Sequence, residues 1–297
     1  METGKRADGI VGLDDIRTVA VLGAGTMGNG IAHVFARSGY EVILRDVEQH
    51  YLDRAVETIS KNLDREIKKG TVAPGDKPKI LARVKPVTEL AAIERADFAV
   101  EAVPERIELK RQVLIEADQI LRPEAILATN TSSISVTSLA ASTNRPGFFL
   151  GMHFMNPVPV MMLVEVIRAL QTTDAAFETV MRLCEKIGKK PVAVNDSPGF
   201  VSNRVLMPLI NEAAFCVMEG VATPDSVDAV MKLGMNHPMG PLELADYIGL
   251  DVCLDVLEVL FSGFGDPKFR PCPLLRKMVS AGWLGRKTGH GFYSYDR

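Results

Sequence analysis

Short apolar runs alternate with longer amphipathic stretches along the first two thirds of the chain. TVAVLGAG, EVILRD, DFAVEAV and AILATN are too short for helices and almost unbroken in their hydrophobicity, the mark of strands buried on both faces. Between them, TMGNGIAHVFARSG, YLDRAVETISKNLDREIKKG and ELKRQVLIEADQILRP have helical length and period. Strand-helix alternation predicts a doubly wound, mostly parallel sheet with helices on both faces. After PVAVND the pattern changes. VLMPLINEAAFCVMEG, PDSVDAVMKLG, PLELADYIGLDVCLDVLEVLFSG and PLLRKMVSAG all read as helices, and Ser-Pro-Gly at 197–199 marks the boundary. The expectation is an α/β domain over 15–196 and a smaller all-helical domain over 197–297.

Composition narrows the class. The chain of 297 residues is 47% hydrophobic and 24% charged, the balance of a globular protein with a real core. A net charge of −3 argues against a nucleic acid or an anionic membrane engaged by the whole surface. No run reaches the roughly 18 apolar residues of a membrane helix. The opening METGKRADGIVGLDDIRT mixes acids and bases without an apolar segment and reads as a loose leader, not a secretory signal. Cys184, Cys216, Cys253 and Cys272 are scattered with no CxxC pair, so no metal site is expected, and reduced thiols in a cytoplasmic protein fit best.

Candidate chemistry starts at VAVLGAGTMGNG. Gly23, Gly25 and Gly28 have G-x-G-x-x-G spacing after a strand and at the start of a helix, with Thr26 and Met27 between them. Such a turn lets backbone approach a pyrophosphate, and the helix N-terminus offers N–H groups to it. Asp46 ends the second strand, about 20 residues on, where a carboxylate would bond a ribose 2′-hydroxyl and repel a 2′-phosphate. Together these predict a Rossmann-type fold that binds NAD, with Arg45 as the residue that speaks for NADP.

AILATN runs into TSSIS, which puts Asn130, Ser132 and Ser133 at the carboxyl end of the fourth strand read. Open α/β sheets bind ligands there; the competing reading is a serine helix cap. GMHF and MMLVEVI look like two strands joined by a turn containing NPVP. If they fold back on each other, His153 meets Glu165. A carboxylate on one imidazole nitrogen fixes the tautomer, and the other nitrogen serves as a base. A purely structural His–Glu pair fits the spacing equally.

GAGTMGNGIA, TNTSSISVTSLA, GMHFMNPVPVMMLVEVI, NDSPGFVSNRVLMPLINEA, GPLELADYIGLD and GRKTGHGFYSY together resemble the 3-hydroxyacyl-CoA dehydrogenase family, over nearly all of residues 15 to 297. The resemblance implies oxidation of an L-3-hydroxyacyl-CoA, 3-hydroxybutyryl-CoA included, by NAD, and the reverse reaction. It implies His153 as general base, Glu165 as its orienting partner, Ser132 at the reacting oxygen and Asn203 reaching the substrate from the second domain, with the complete site formed at the interdomain cleft. On the cofactor side it implies the Gly23–Gly28 loop, Asp46, Glu105, Lys110, Asn130 and Asn156. It also implies a homodimer. Where some relatives carry a serine for CoA, this chain has Asn62. Two other readings stand beside it: a family member acting on a free hydroxy acid of gulonate type, and an NAD-binding protein without catalysis.

How an acidic chain holds a polyanionic substrate is a separate question. In YLDRAVETISKNLDREIKKG, Arg54, Lys61, Arg65 and Lys68 fall within roughly 60° at helical spacing, opposite Leu52, Ile59 and Leu63, with Lys69 at the edge. Lys61, Arg65 and Lys69 are candidates to contact or steer CoA phosphates; the plain alternative is a solvated face.

Overall fold

The computed structural model describes residues 9–295. They form two compact units, divided between Asp196 and Ser197.

The first unit is built on strands β1 (Thr18–Leu22), β2 (Glu41–Arg45), β3 (Val84–Val87), β4 (Phe98–Glu101), β5 (Ile126–Thr129), β6 (Phe149–Phe154), β7 (Leu163–Arg168) and β8 (Lys190–Asn195). Its helices are α1 (Thr26–Arg37), α2 (Gln49–Lys68), α3 (Lys77–Arg83), α4 (Ile107–Ile120), α5 (Val136–Ala140) and α6 (Asp174–Lys186). The strands make one sheet in the order β3-β2-β1-β4-β5-β6-β7-β8. All neighbours are parallel except β6 and β7. The order reverses between β1 and β4, and a crevice at the carboxyl ends of those strands is where such sheets take ligands.

The interior follows the sequence pattern. β4 and β5 are buried at every residue. α2 buries Leu52, Ala55, Ile59 and Leu63, each large aliphatic chain being worth about 1.5–3 kcal/mol when fully buried. Two expectations are corrected. VKPV forms β3, so AILATN supplies the fifth strand in chain order, not the fourth. The leader is packed from residue 10 onward: Ile10, Val11 and Ile16 are buried, and Val11 N–H donates to the Glu124 carbonyl at 3.0 Å. Three aliphatic side chains are too few to show a period yet large enough to anchor a segment. Residues 1–8 of the predicted leader lie outside the described residues.

The second unit is helical: α7 (Ser202–Met218), α8 (Pro224–Gly234), α9 (Pro241–Ile248), α10 (Leu250–Phe264) and α11 (Pro273–Ser280). The long helix expected over 241–263 is two helices, because Gly249 takes φ +107° and turns the chain between them. GRKTGHGFYSY serves this unit structurally. The buried Asp246 carboxylate accepts Phe292 N–H and Tyr293 N–H at 3.0 Å, and Asp228 accepts the Tyr293 hydroxyl at 2.8 Å. All four cysteines are free thiols, three of them buried.

Candidate functional site

At the end of β1 the chain turns through Gly23, at φ +106°, into α1. A Cβ on Gly23 would stand 2.7 Å from the Ala102 carbonyl oxygen, and one on Gly28 would stand 1.7 Å from the Gly23 oxygen. Only glycine permits these approaches. Gly25 is glycine for another reason: nothing lies within 4 Å of where its Cβ would be. It faces a cleft of about 400 Å³ walled by Ala24, Thr26 and Gly30 on one side, Arg54 and Asn62 of α2 on another, and residues 156–159 on a third. Thr26 and Met27 open α1, where first-turn N–H groups have no carbonyl one turn earlier and suit an anion.

Asp46 is tied to this loop. Its Oδ2 accepts Ala24 N–H and its Oδ1 accepts Val47 N–H, both at 2.7 Å. Arg45 is turned elsewhere, its Nε donating to the Thr88 carbonyl at 3.2 Å.

A second constellation joins the ends of β4 and β5. Glu101, fully buried, accepts Lys110 Nζ at 2.8 Å, Val103 N–H at 2.7 Å and the Thr129 hydroxyl at 2.6 Å. Lys110 also lies 3.3 Å from Glu105. Glu105 Oε1 gathers the loop after β5: the Thr131 hydroxyl at 2.6 Å, Ser132 N–H at 2.8 Å and Ser133 N–H at 3.0 Å. Burial works to raise the Glu105 carboxyl, but Lys110 and these donors outweigh it and hold it below the usual carboxylate range. Asn130 Oδ1 accepts Phe154 N–H at 2.9 Å and so links this loop to β6. The helix-cap reading of the serines does not apply to Ser132 or Ser133, because Ser135 caps α5, accepting Ser138 N–H.

The third constellation is the strand pair. β6 and β7 run antiparallel with His153 directly opposite Glu165. His153 Nδ1 and Glu165 Oε2 are 2.8 Å apart, and both residues are buried. The connection between the strands carries Asn156 into the wall of the cleft.

The structure therefore gathers the glycine loop, Asp46, Asn62 and Asn156 around or beside one cleft, and Glu105, Lys110, Asn130 and Ser132 into one polar network. Asn203 stands in the first turn of α7 in the second unit, its N–H donating to the Gly199 carbonyl. Lys61 and Arg65 on α2 and Lys69 just past its end are exposed and do not line the cleft; Lys61 pairs with Glu57 at 2.6 Å, and Arg65 donates to Asn62 at 3.1 Å. Sequence reasoning missed Glu101 and gave Arg54 no individual role. An acid ending an otherwise apolar strand, the signal used for Asp46, would have found Glu101.

The chain matches the model of the 3-hydroxyacyl-CoA dehydrogenase NAD binding domain over residues 18–197 and that of the 3-hydroxyacyl-CoA dehydrogenase C-terminal domain over 199–295. It belongs to the 3-hydroxyacyl-CoA dehydrogenase family. A relative named probable 3-hydroxybutyryl-CoA dehydrogenase, from Deinococcus radiodurans, is 55% identical over 93% of this chain and 99% of its own length. The 3-hydroxybutyryl-CoA dehydrogenase of Bradyrhizobium diazoefficiens is 51% identical over 94% of this chain and 96% of its own. The crystal structure of (S)-3-hydroxybutyryl-CoA dehydrogenase from Ralstonia eutropha superposes with a TM-score of 0.93 at 51% identity, covering 95% of this chain and all of that one. This member of the 3-hydroxyacyl-CoA dehydrogenase family is an NAD-dependent oxidoreductase. The open space beside Gly25 and the carboxylate held on the loop fit a dinucleotide. Among the described residues no helix is long and apolar enough to cross a membrane, and no group of three or more metal-ligating side chains occurs.

Proposed function

We propose that the chain interconverts an L-3-hydroxyacyl-CoA, 3-hydroxybutyryl-CoA among them, and the corresponding 3-ketoacyl-CoA, as a cytoplasmic homodimer. The observation that carries this reading is the buried His153–Glu165 pair, in register across two strands beside the loop of Ser132. NAD supplies the hydride acceptor. His153 takes the substrate hydroxyl proton at Nε2, because Nδ1 already holds Glu165. The Glu165 carboxylate keeps the ring in that tautomer and supports the imidazolium that forms. Ser132, on the loop that Glu105 gathers, donates to the same substrate oxygen. Asn130 and Asn156 orient the nicotinamide side, and Asn203 contributes to substrate binding. In the reverse direction the protonated imidazole polarises the ketone. Steady-state assays test the reading directly: NADH should appear with 3-hydroxybutyryl-CoA and not with free 3-hydroxybutyrate. Turnover of the free acid at a comparable rate would transfer the assignment to a hydroxy-acid dehydrogenase.

Asp46 at the glycine loop should make NAD a better substrate than NADP. Asp46→Ala removes repulsion of a 2′-phosphate and also a bond that shapes the loop. The ratio of kcat/KM for NAD over NADP should fall by about tenfold or more, chiefly through loss with NAD. An unchanged ratio would move the specificity away from Asp46, with Arg45 the next residue to replace.

The CoA phosphates call for cations, and α2 offers them. Lys61→Glu together with Arg65→Glu should raise KM for the acyl-CoA several-fold at low ionic strength, and less in high salt, where exposed charges are screened. KM for NAD should hold. No change at low salt would leave that face merely solvated, with CoA held elsewhere.

A further inference from the structure

Lys189 stands between α6 and β8, is only 4% exposed, and plays no part in the chemistry above. Its Nζ donates to two backbone carbonyls, Val158 at 2.5 Å and Met161 at 2.7 Å. Both belong to the connection between β6 and β7, the segment that starts just after His153 and ends just before Glu165. Carbonyls turned inward from a loop need donors, and a buried ammonium with two acceptors is an economical arrangement for both partners. The surroundings are charged as well as apolar. Burial, with the Arg37 guanidinium near it, brings the Lys189 pKa down to about 8, while Glu66 and the Cys184 thiol act in the opposite direction.

The other side of the same connection rests on α1. Val158 is buried, and a Cβ on Gly30 would lie 2.8 Å from the Val158 Cβ. At its start the connection is held by Asn130, which accepts Phe154 N–H, and at its end by Lys190 N–H, which donates to the Met162 carbonyl at 2.8 Å. Between those anchors, residues 156–159 form the wall that faces Gly25 and Thr26 across the cleft. Their position sets the width of the cleft, and Lys189 is the side chain that holds it from behind.

We propose that Lys189 is a positioning residue for the dinucleotide: by fastening the Val158 and Met161 carbonyls it sets the wall of the cleft opposite the glycine loop. The proposal rests on the reading that this cleft takes the cofactor. It separates binding from chemistry. Loss of the fastening loosens residues 156–159, while His153 and Glu165 stay paired within the sheet.

The test is NADH binding by fluorescence titration, with steady-state kinetics, on the full chain and three variants. Gly25→Val reports on the cleft itself. Its added side chain points into open space, so the fold stands while the cleft is blocked, and NADH binding should be lost. Lys189→Met keeps the length of the side chain without its donors. It should raise the NADH Kd and KM for NAD by about tenfold and leave kcat at saturating NAD within about threefold. Gly30→Ala pushes Val158 from the opposite side and should raise the same two constants. Gly25→Val binding NADH like the parent would remove the cofactor from this cleft, and the proposal with it. Lost binding in Gly25→Val with parental affinity in folded Lys189→Met would overturn the positioning role alone. So would a Lys189→Met whose melting temperature falls while Kd and KM stay put. Should Lys189→Met fail to fold, parental affinity in Gly30→Ala overturns it equally.

Discussion

His153→Ala is expected to lower kcat by about 10²–10⁴-fold, the range of a well-placed acid–base group, with little change in NADH affinity. The expectation follows from the sheet. β6 is buried along its whole length, and its antiparallel register with β7 sets His153 against Glu165 without help from any loop. Geometry held by two paired strands is held closely, and proton transfer needs that. Glu165→Gln should also lower kcat, because an amide in the same place no longer supports the imidazolium charge. Removing the imidazole takes a partner from a carboxylate that is 2% exposed, so the melting temperature should fall as well, and kcat must be taken per folded protein. Turnover of folded His153→Ala at the parent rate would remove His153 from the mechanism and leave the pair a structural one.

The parts of the fold that sequence reasoning reached were those with one dominant physical cause. β1, β2, β4 and β5 are apolar runs because both faces are covered, and they read as strands at once. β3 escaped because an edge strand is not under that constraint: of VKPV only Val84 is buried, and Pro86 argues against a strand on composition. β8 served only as a boundary marker for the same reason, with Val194 its one buried residue. Gly249 lay inside a helical period, and only its backbone angle reveals the break. At the site, the glycine loop and Asp46 follow from local spacing. The His153–Glu165 pair needed one further assumption, that the two segments fold back on each other. The partners of Glu101 and Lys189 were out of reach for a different cause. Glu101 meets Lys110 nine residues on, and Lys189 meets Val158 thirty-one residues back. Such partners are chosen by tertiary packing, and nothing in their neighbours announces them. Family resemblance supplied roles for Glu105 and Lys110, but not the reason that Glu105 matters to Ser132. That reason is geometric, since one carboxylate oxygen collects the whole turn after β5.

Lys110 is where stability and function meet, and Lys110→Met should show both. The ammonium is 1% exposed and lies 2.8 Å from Glu101 and 3.3 Å from Glu105. Removing one partner of a buried pair costs about 3–5 kcal/mol, because the charge left behind stays buried. For a unit of this size that corresponds to a fall in melting temperature of about 10 °C or more. The pH dependence gives the mechanism away. In the parent, Glu105 is held below its ordinary pKa, so its contribution to stability is complete above the unfolded value and is lost as pH falls through the lowered one. Without the lysine, Glu105 loses the cation that opposed its desolvation, and burial beside the Glu101 carboxylate raises it. A carboxyl with a raised pKa in the folded state costs stability as pH climbs past its unfolded value. The deficit of Lys110→Met should therefore be largest near pH 7 and shrink toward about pH 5. Melting curves of parent and variant across that interval measure it. KM for NAD should rise in the same variant, since Glu105 holds the loop of Ser132 only while it is itself held. A small deficit that is the same at both ends of the interval would mean that Lys110 acts through its hydrocarbon stem, and that the charge at the centre of this network is not what orders the loop.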